Sequence, residues 1–267
     1  MIRFFVLLLW VVFIPLKAAA QSYLSPIPRL LLPVTINNGD VSSQVALGSL
    51  SNVSSSRLQS DYQLIYGTFT LPLVGLAVAV PHREGVFNLG YQYFGDRYLG
   101  QQQIGLAYTH RLGAFTFGLR LNQHGSLAEQ RAPQHIYSLD LGLGYTINQQ
   151  WMAVLDAQHI GSEWGGSNEA QAMRKRYRIG LRYAVSSSLF AHFEVDKSLG
   201  HHTSGRFALQ YVFPSQWYLI GQSQFYPFAQ TFGFGGRFQQ FSGQYLGGLQ
   251  YPLGFSHALS LAYTFSK

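Results

Sequence analysis

From about Asp61 to the end of the chain, apolar side chains alternate with small or polar ones at a period of two. That period is the signature of strands with one apolar and one polar face. Over residues 114–123 one parity reads Phe115, Phe117, Leu119 and Leu121, and the other Ala114, Thr116, Gly118, Arg120 and Asn122. Residues 135–147 set Tyr137, Leu139, Leu141, Leu143 and Tyr145 against Ser138, Asp140, Gly142, Gly144 and Thr146. Further along, Tyr177, Ile179, Leu181 and Tyr183 alternate with Arg176, Arg178, Gly180 and Arg182. In the last segment Leu259, Leu261, Tyr263 and Phe265 alternate with Ser260, Ala262 and Thr264. The pattern makes about fourteen segments, within a range of roughly 12 to 16, each of about ten residues, the length a tilted strand needs to cross a bilayer.

A soluble β-sandwich also alternates, but its outer parity faces bulk water and carries Lys, Glu and Thr. Here that parity is mostly Gly, Ala, Ser, Thr and Gln, and the apolar parity turns aromatic near segment ends, as at Trp151, Tyr177, Trp217 and Tyr263. Aromatic residues at segment ends match the girdles at lipid interfaces. The fold class expected is all-β, a transmembrane antiparallel up-and-down barrel. The small lumen residues Gly105, Ala107, Gly118, Gly142, Gly144 and Gly180 leave space that water or a plug must occupy.

Turn signals alternate in length. Tight connections fall at 81–85, 112–114, 148–149, 186–188, 214–215 and 239–240, and longer ones at 95–100, 123–134, 161–175, 197–204 and 251–256. Outer-membrane barrels have short periplasmic turns and longer outer loops, which puts the N-terminus in the periplasm.

The start of the chain departs from the alternation. Arg3, the apolar run 4–16 and Ala18-Ala19-Ala20 read as a secretory signal peptide over residues 1–20. Residues 21–60 are Pro-containing and then Ser/Asn-rich, and are expected to form a periplasmic segment or a plug in the barrel mouth. The barrel then spans 61–267. Charged residues make up only 11% of the chain, and the net charge of +7 comes from scattered arginines with no polybasic tail, so nucleic acid is not an expected partner. Cysteine is absent, which removes disulfides, thiolate metal sites and cysteine nucleophiles.

One electrostatic constellation stands out. On the lumen parity of three consecutive strands lie Asp156, then Arg176, Arg178 and Arg182, then Glu194 and Asp196. Opposite charges on neighbouring strands attract inside a narrow lumen. They could form a solute-selecting constriction or a structural network that satisfies buried charges, and the structural role is the expectation. A hydrolase reading of His201-His202-Thr203-Ser204-Gly205 would need a base, an activated Ser and an acid together, and this stretch falls in a predicted outer loop. No His spacing suits a metal, so neither catalytic residues nor cofactors nor metals are expected. Leu259, Leu261, Tyr263 and Phe265 form a lipid-facing stripe on which closure against the first strand, and handling by the barrel assembly machinery, are expected to depend.

The run 88–95 (NLGYQYFG), followed by 103–113 (QIGLAYTHRLG), resembles Bacteroidota outer-membrane barrels. The likeness is to the PorV- and PorQ-like barrels associated with type IX secretion, which are themselves similar to FadL-like transport barrels. Ala46-Leu47-Gly48 before an Asn/Ser-rich stretch is similar to the N-terminal part of that group, although the group's Asn-Pro-Ala motif is missing. The resemblance implies a non-enzymatic envelope adaptor in contact with outer-membrane lipid and with secretion or other envelope proteins. Its alternative is a channel or FadL-like transporter for small or hydrophobic solutes.

Overall fold

The computed structural model describes residues 46–65, 72–96, 99–128, 134–161, 173–199, 201–250 and 254–265. The expected signal peptide, and residues 21–45 of the segment after it, lie outside the described residues. Fourteen strands follow in chain order. The first seven are β1 (Arg57–Leu64), β2 (Pro72–His82), β3 (Gly85–Gly95), β4 (Leu99–Leu112), β5 (Phe115–Ala128), β6 (Gln134–Thr146) and β7 (Trp151–Ile160). The second seven are β8 (Arg176–Ala184), β9 (Leu189–Ser198), β10 (Ser204–Val212), β11 (Trp217–Phe225), β12 (Ala229–Phe238), β13 (Phe241–Gln250) and β14 (Gly254–Thr264). Each strand pairs antiparallel with its chain neighbours, and β14 pairs with β1, so the sheet is a closed barrel. The closing seam runs from Arg57 opposite Thr264 to Leu64 opposite His257. A wall without edges is what lipid demands, because the hydrocarbon offers no partner for an unpaired backbone group.

Burial is inverted relative to a soluble barrel. On the outer face Leu106, Leu121 and Phe232 are 54%, 55% and 70% exposed, while Arg120 and Arg178 on the inner face are 1% and 0% exposed. Water would favour the opposite arrangement; a bilayer favours this one. One rim carries paired aromatics: Phe115 stacks on Tyr145 at 4.6 Å, Trp151 on Tyr183 at 4.3 Å, and Phe241 lies 5.0 Å from Tyr263. This is the rim of the tight turns, residues 83–84, 113–114, 147–150, 185–188, 213–216 and 239–240. At the other rim the longer connections are 65–71, 129–133, 161–175 and 199–203, but 96–98, 226–228 and 251–253 are short as well.

Several strands run further than the apolar pattern indicates. β1 begins at Arg57, inside the stretch 21–60, and β5 continues through Gln123 to Ala128, where the sequence suggests a loop. Gln123 pairs with Tyr137 and Ser126 with Gln134. The backbone ladder needs no apolar side chains once it leaves the lipid, so alternation marks the membrane layer and understates the strands. On the terminal strand Leu259 and Leu261 are exposed on the outer face. Tyr263 donates to Gln240 Oε1 at 2.5 Å. Phe265 lies one residue beyond β14, and its N–H donates to the Ser56 carbonyl at 2.9 Å, extending the seam.

Between β6 and β7 the register shifts, with Leu139 opposite Ile160 but Leu141 opposite Ala157. His159 takes a left-handed φ of 58° in this bulge, and its N–H donates to Asp140 Oδ1 at 2.9 Å. The bulge buries His159 beside Gln158 instead of alternating it outward.

Candidate functional site

A 3-10 helix, Leu47–Asn52, lies inside the barrel against β3 to β7. Its seat is made of glycine. A Cβ placed on Gly118 would be 2.7 Å from Leu47 Cβ, one on Gly48 would be 2.7 Å from the Gly144 nitrogen, and Gly142 lies directly under Leu47. Helix and wall therefore approach as closely as two backbones can, which only residues without a Cβ allow. This segment fills the space at Gly118, Gly142 and Gly144, and Leu47 and Leu50 form a buried cluster with Ala107.

The Leu47 N–H, a donor that a helix start leaves without an intrahelical acceptor, donates to Asp156 Oδ1 at 3.2 Å. Just before the helix, Ala46 belongs to a buried apolar cluster with Met152, Val154, Ala208, Ile220 and Leu246. Those residues sit on β7, β10, β11 and β13, so the cluster reaches across the lumen. At the tight-turn end Val53 packs with Ala77, Ala79 and Val86. Barrels of eight strands fill with their own side chains, whereas those of sixteen or more leave a channel. Fourteen strands fall between, and here the chain supplies its own filling.

Around this seat runs a belt of buried charge. Asp156 Oδ2 is 3.6 Å from Arg178 Nε, with the two side chains 1% and 0% exposed. Arg176 grips Asp196 through Nε at 2.7 Å and Nη2 at 2.5 Å. Glu194 meets Arg206 Nη2 at 3.4 Å. Arg120 faces Asp140 across β5 and β6, and lies in the field of Asp156 as well. Among the described residues of this belt, four guanidinium groups (Arg120, Arg176, Arg178, Arg206) meet four carboxylates (Asp140, Asp156, Glu194, Asp196), so the belt is neutral. Charges buried this deeply are tolerated only when so compensated. Above it, toward the longer loops, His124 Nε2 is 2.9 Å from Ser138 Oγ, and its ring lies 5.2 Å from that of His159.

The structure thus gathers Asp156, Arg176, Arg178, Glu194 and Asp196. Arg182, singled out with them in the sequence, is elsewhere: it lies toward the tight-turn end with its guanidinium carbon 4.5 Å over the Phe190 ring. Opposite it across β8 and β9 is His192, not a carboxylate. Glu194 meets Arg206 on β10 and also lies in the field of Arg178 on β8. Arg120, Asp140 and Arg206 were missed as partners because parity assigns a face while partnership needs register. The pairing of β5 on β6 continues past Gln123 in the same register, to Ser126 opposite Gln134. Ser204 opens β10 opposite Asp196, so the stretch 201–205 is only partly a loop.

No protein-family model and no curated protein matches the chain. Among solved structures, the fold is similar to the toluene transporter TodX of Pseudomonas putida, with a TM-score of 0.65 at 10% identity over 92% of this chain and 100% of that one. The Ralstonia pickettii toluene transporter TbuX gives 0.63 at 8% identity over 83% of this chain and 92% of that one. At such identities the likeness is one of fold, and the fold is that of Gram-negative outer-membrane barrels.

Proposed function

We propose that this chain is a gated outer-membrane passage protein for small solutes, with the segment around Leu47–Asn52 as its gate and the tight turns on the periplasmic side. One observation carries the reading: a segment that is not part of the wall is seated inside the lumen. Fourteen strands complete their ladders without it, and its contact with the wall includes apolar packing on a glycine seat and the bond from Leu47 to Asp156. Burying Leu47, Leu50 and Val53 stabilises the seated state by roughly 1.5 to 3 kcal/mol each. That is enough to hold a gate shut and little enough for a bound solute or a single substitution to shift.

Two solved transporters share this fold, which favours passage over the envelope-adaptor role that the sequence resemblance implies. The test is single-channel conductance of the purified barrel in a planar bilayer. Gly142→Val puts a branched side chain into the seat and should convert a mostly closed trace into frequent open events. Equal, low conductance in both proteins would contradict the gate.

A further inference from the structure

Lipid-facing positions of a barrel disfavour charge. Among the described strands the outward parity carries a single Lys, Arg, Asp or Glu, namely Lys197. It lies near the end of β9 at the longer-loop rim, opposite the outward Tyr177 of β8. The ladder runs one pair past β8, where Leu199 N–H donates to the Lys175 carbonyl at 3.0 Å. Alternation gives Lys175 the parity of Tyr177. It therefore stands diagonally across from Lys197, at the roughly 7 to 8 Å that diagonal strand neighbours keep. Flexible stems let two ammonium groups at that spacing meet on one anion. Lys197 Nζ already reaches the rim, where it donates to the His201 carbonyl at 2.8 Å, and an ammonium keeps further N–H donors for a second acceptor.

The field at this corner is positive. Burial first, then Arg174, His202 and Lys197, hold the His201 ring below the ordinary histidine range, and none of the described groups that act on it is a carboxylate. Asp196, next to Lys197 in the chain, faces the lumen, where Arg176 Nε grips it at 2.7 Å. Toward the middle of the wall the outer face turns apolar, with Ile179, Val195 and an exposed Phe193. Gly205 lies opposite Val195 and leaves the wall bare of a side chain there. We infer that this corner of β8 and β9 binds lipid A, the phosphorylated glycolipid of the outer leaflet, with a phosphate between Lys175 and Lys197 and an acyl chain along Val195 and Gly205. Two ammonium groups alone would suit any phosphate; the apolar wall beneath them selects one carried by a membrane lipid. The choice of leaflet rests on the orientation proposed above, with the tight turns periplasmic, and on no other part of that reading.

The experiment is native mass spectrometry of the full-length barrel, delipidated in an uncharged detergent and titrated with lipid A, with dephosphorylated lipid A and with phosphatidylglycerol. Lipid A is expected to bind about tenfold more tightly than its dephosphorylated form, and to weaken as ammonium acetate rises from about 0.05 to 0.5 M. It should also bind more tightly than phosphatidylglycerol, whose phosphodiester carries less charge than a terminal phosphate. Lys175→Gln with Lys197→Gln should lower the affinity for lipid A about tenfold, while Arg237→Gln, exposed at the opposite rim, leaves it unchanged. Equal binding of the dephosphorylated form, or a double variant that binds lipid A as the unmodified barrel does, would overturn the site. Phosphatidylglycerol bound as tightly as lipid A would overturn the assignment to lipid A. The comparison of lipids uses the unmodified protein and measures no flux, so its failure would leave the conductance test of the gate untouched.

Discussion

Six charged residues of the sequence look alike on one face of three strands, and the structure divides them into two kinds. Glu194 is 1% exposed at the side chain and faces an Arg206 that is 5% exposed, so removing its charge strands a buried cation. Breaking such a pair costs about 3 kcal/mol or more. Glu194→Gln should therefore lower the urea stability of the refolded barrel by that order. Arg182→Gln, at a half-buried cation over a ring, should cost no more than about 1 kcal/mol. Unfolding titrations in lipid vesicles separate the two, and equal losses would mean that Arg182 belongs to the belt after all. The distinction was not legible in the sequence. Parity placed Arg176, Arg178 and Arg182 on one face, but which carboxylate each one meets is set by register, and register is set by hairpin ends that carry no apolar signal.

At the scale of elements, alternation found the strands wherever lipid touches them and lost them where it does not. The extension of β5 to Ala128, the start of β1 at Arg57 and the His159 bulge all fall in polar sequence, where backbone pairing and one carboxylate bond do the ordering. The small lumen residues were legible as vacant space. Their occupant was legible only as one of two possibilities, because Leu47-Gly48-Ser49-Leu50 has no periodicity of its own. The last strand combines an exposed apolar stripe with the closing seam on β1. A truncation ending at His257 removes every β14 partner of residues 57–63 and leaves two open edges that lipid cannot satisfy. Membrane-fraction yield should fall to background for this truncation and stay near normal for Phe265→Leu, which keeps the backbone bond to Ser56. Normal yield for the truncation would show that closure does not depend on β14.

For the whole molecule, the arrangement is a wall complete in itself, a neutral belt of charge at its waist, and a segment seated on glycine inside it. The central claim is that the seated segment closes the lumen. The chain has no cysteine, so a thiol pair can be introduced without competition. Leu50→Cys with Ala107→Cys joins the segment to β4 at two residues that share one buried cluster, by a disulfide or by a short bis-thiol linker where the geometry requires reach. The decisive measurement is solute efflux from vesicles carrying this double variant in its Gly142→Val background, before and after reduction. Efflux should be slow while the segment is tethered and should rise once the tether is cut. The same rate in both states would show that the segment around Leu47–Asn52 is filling, and not a gate.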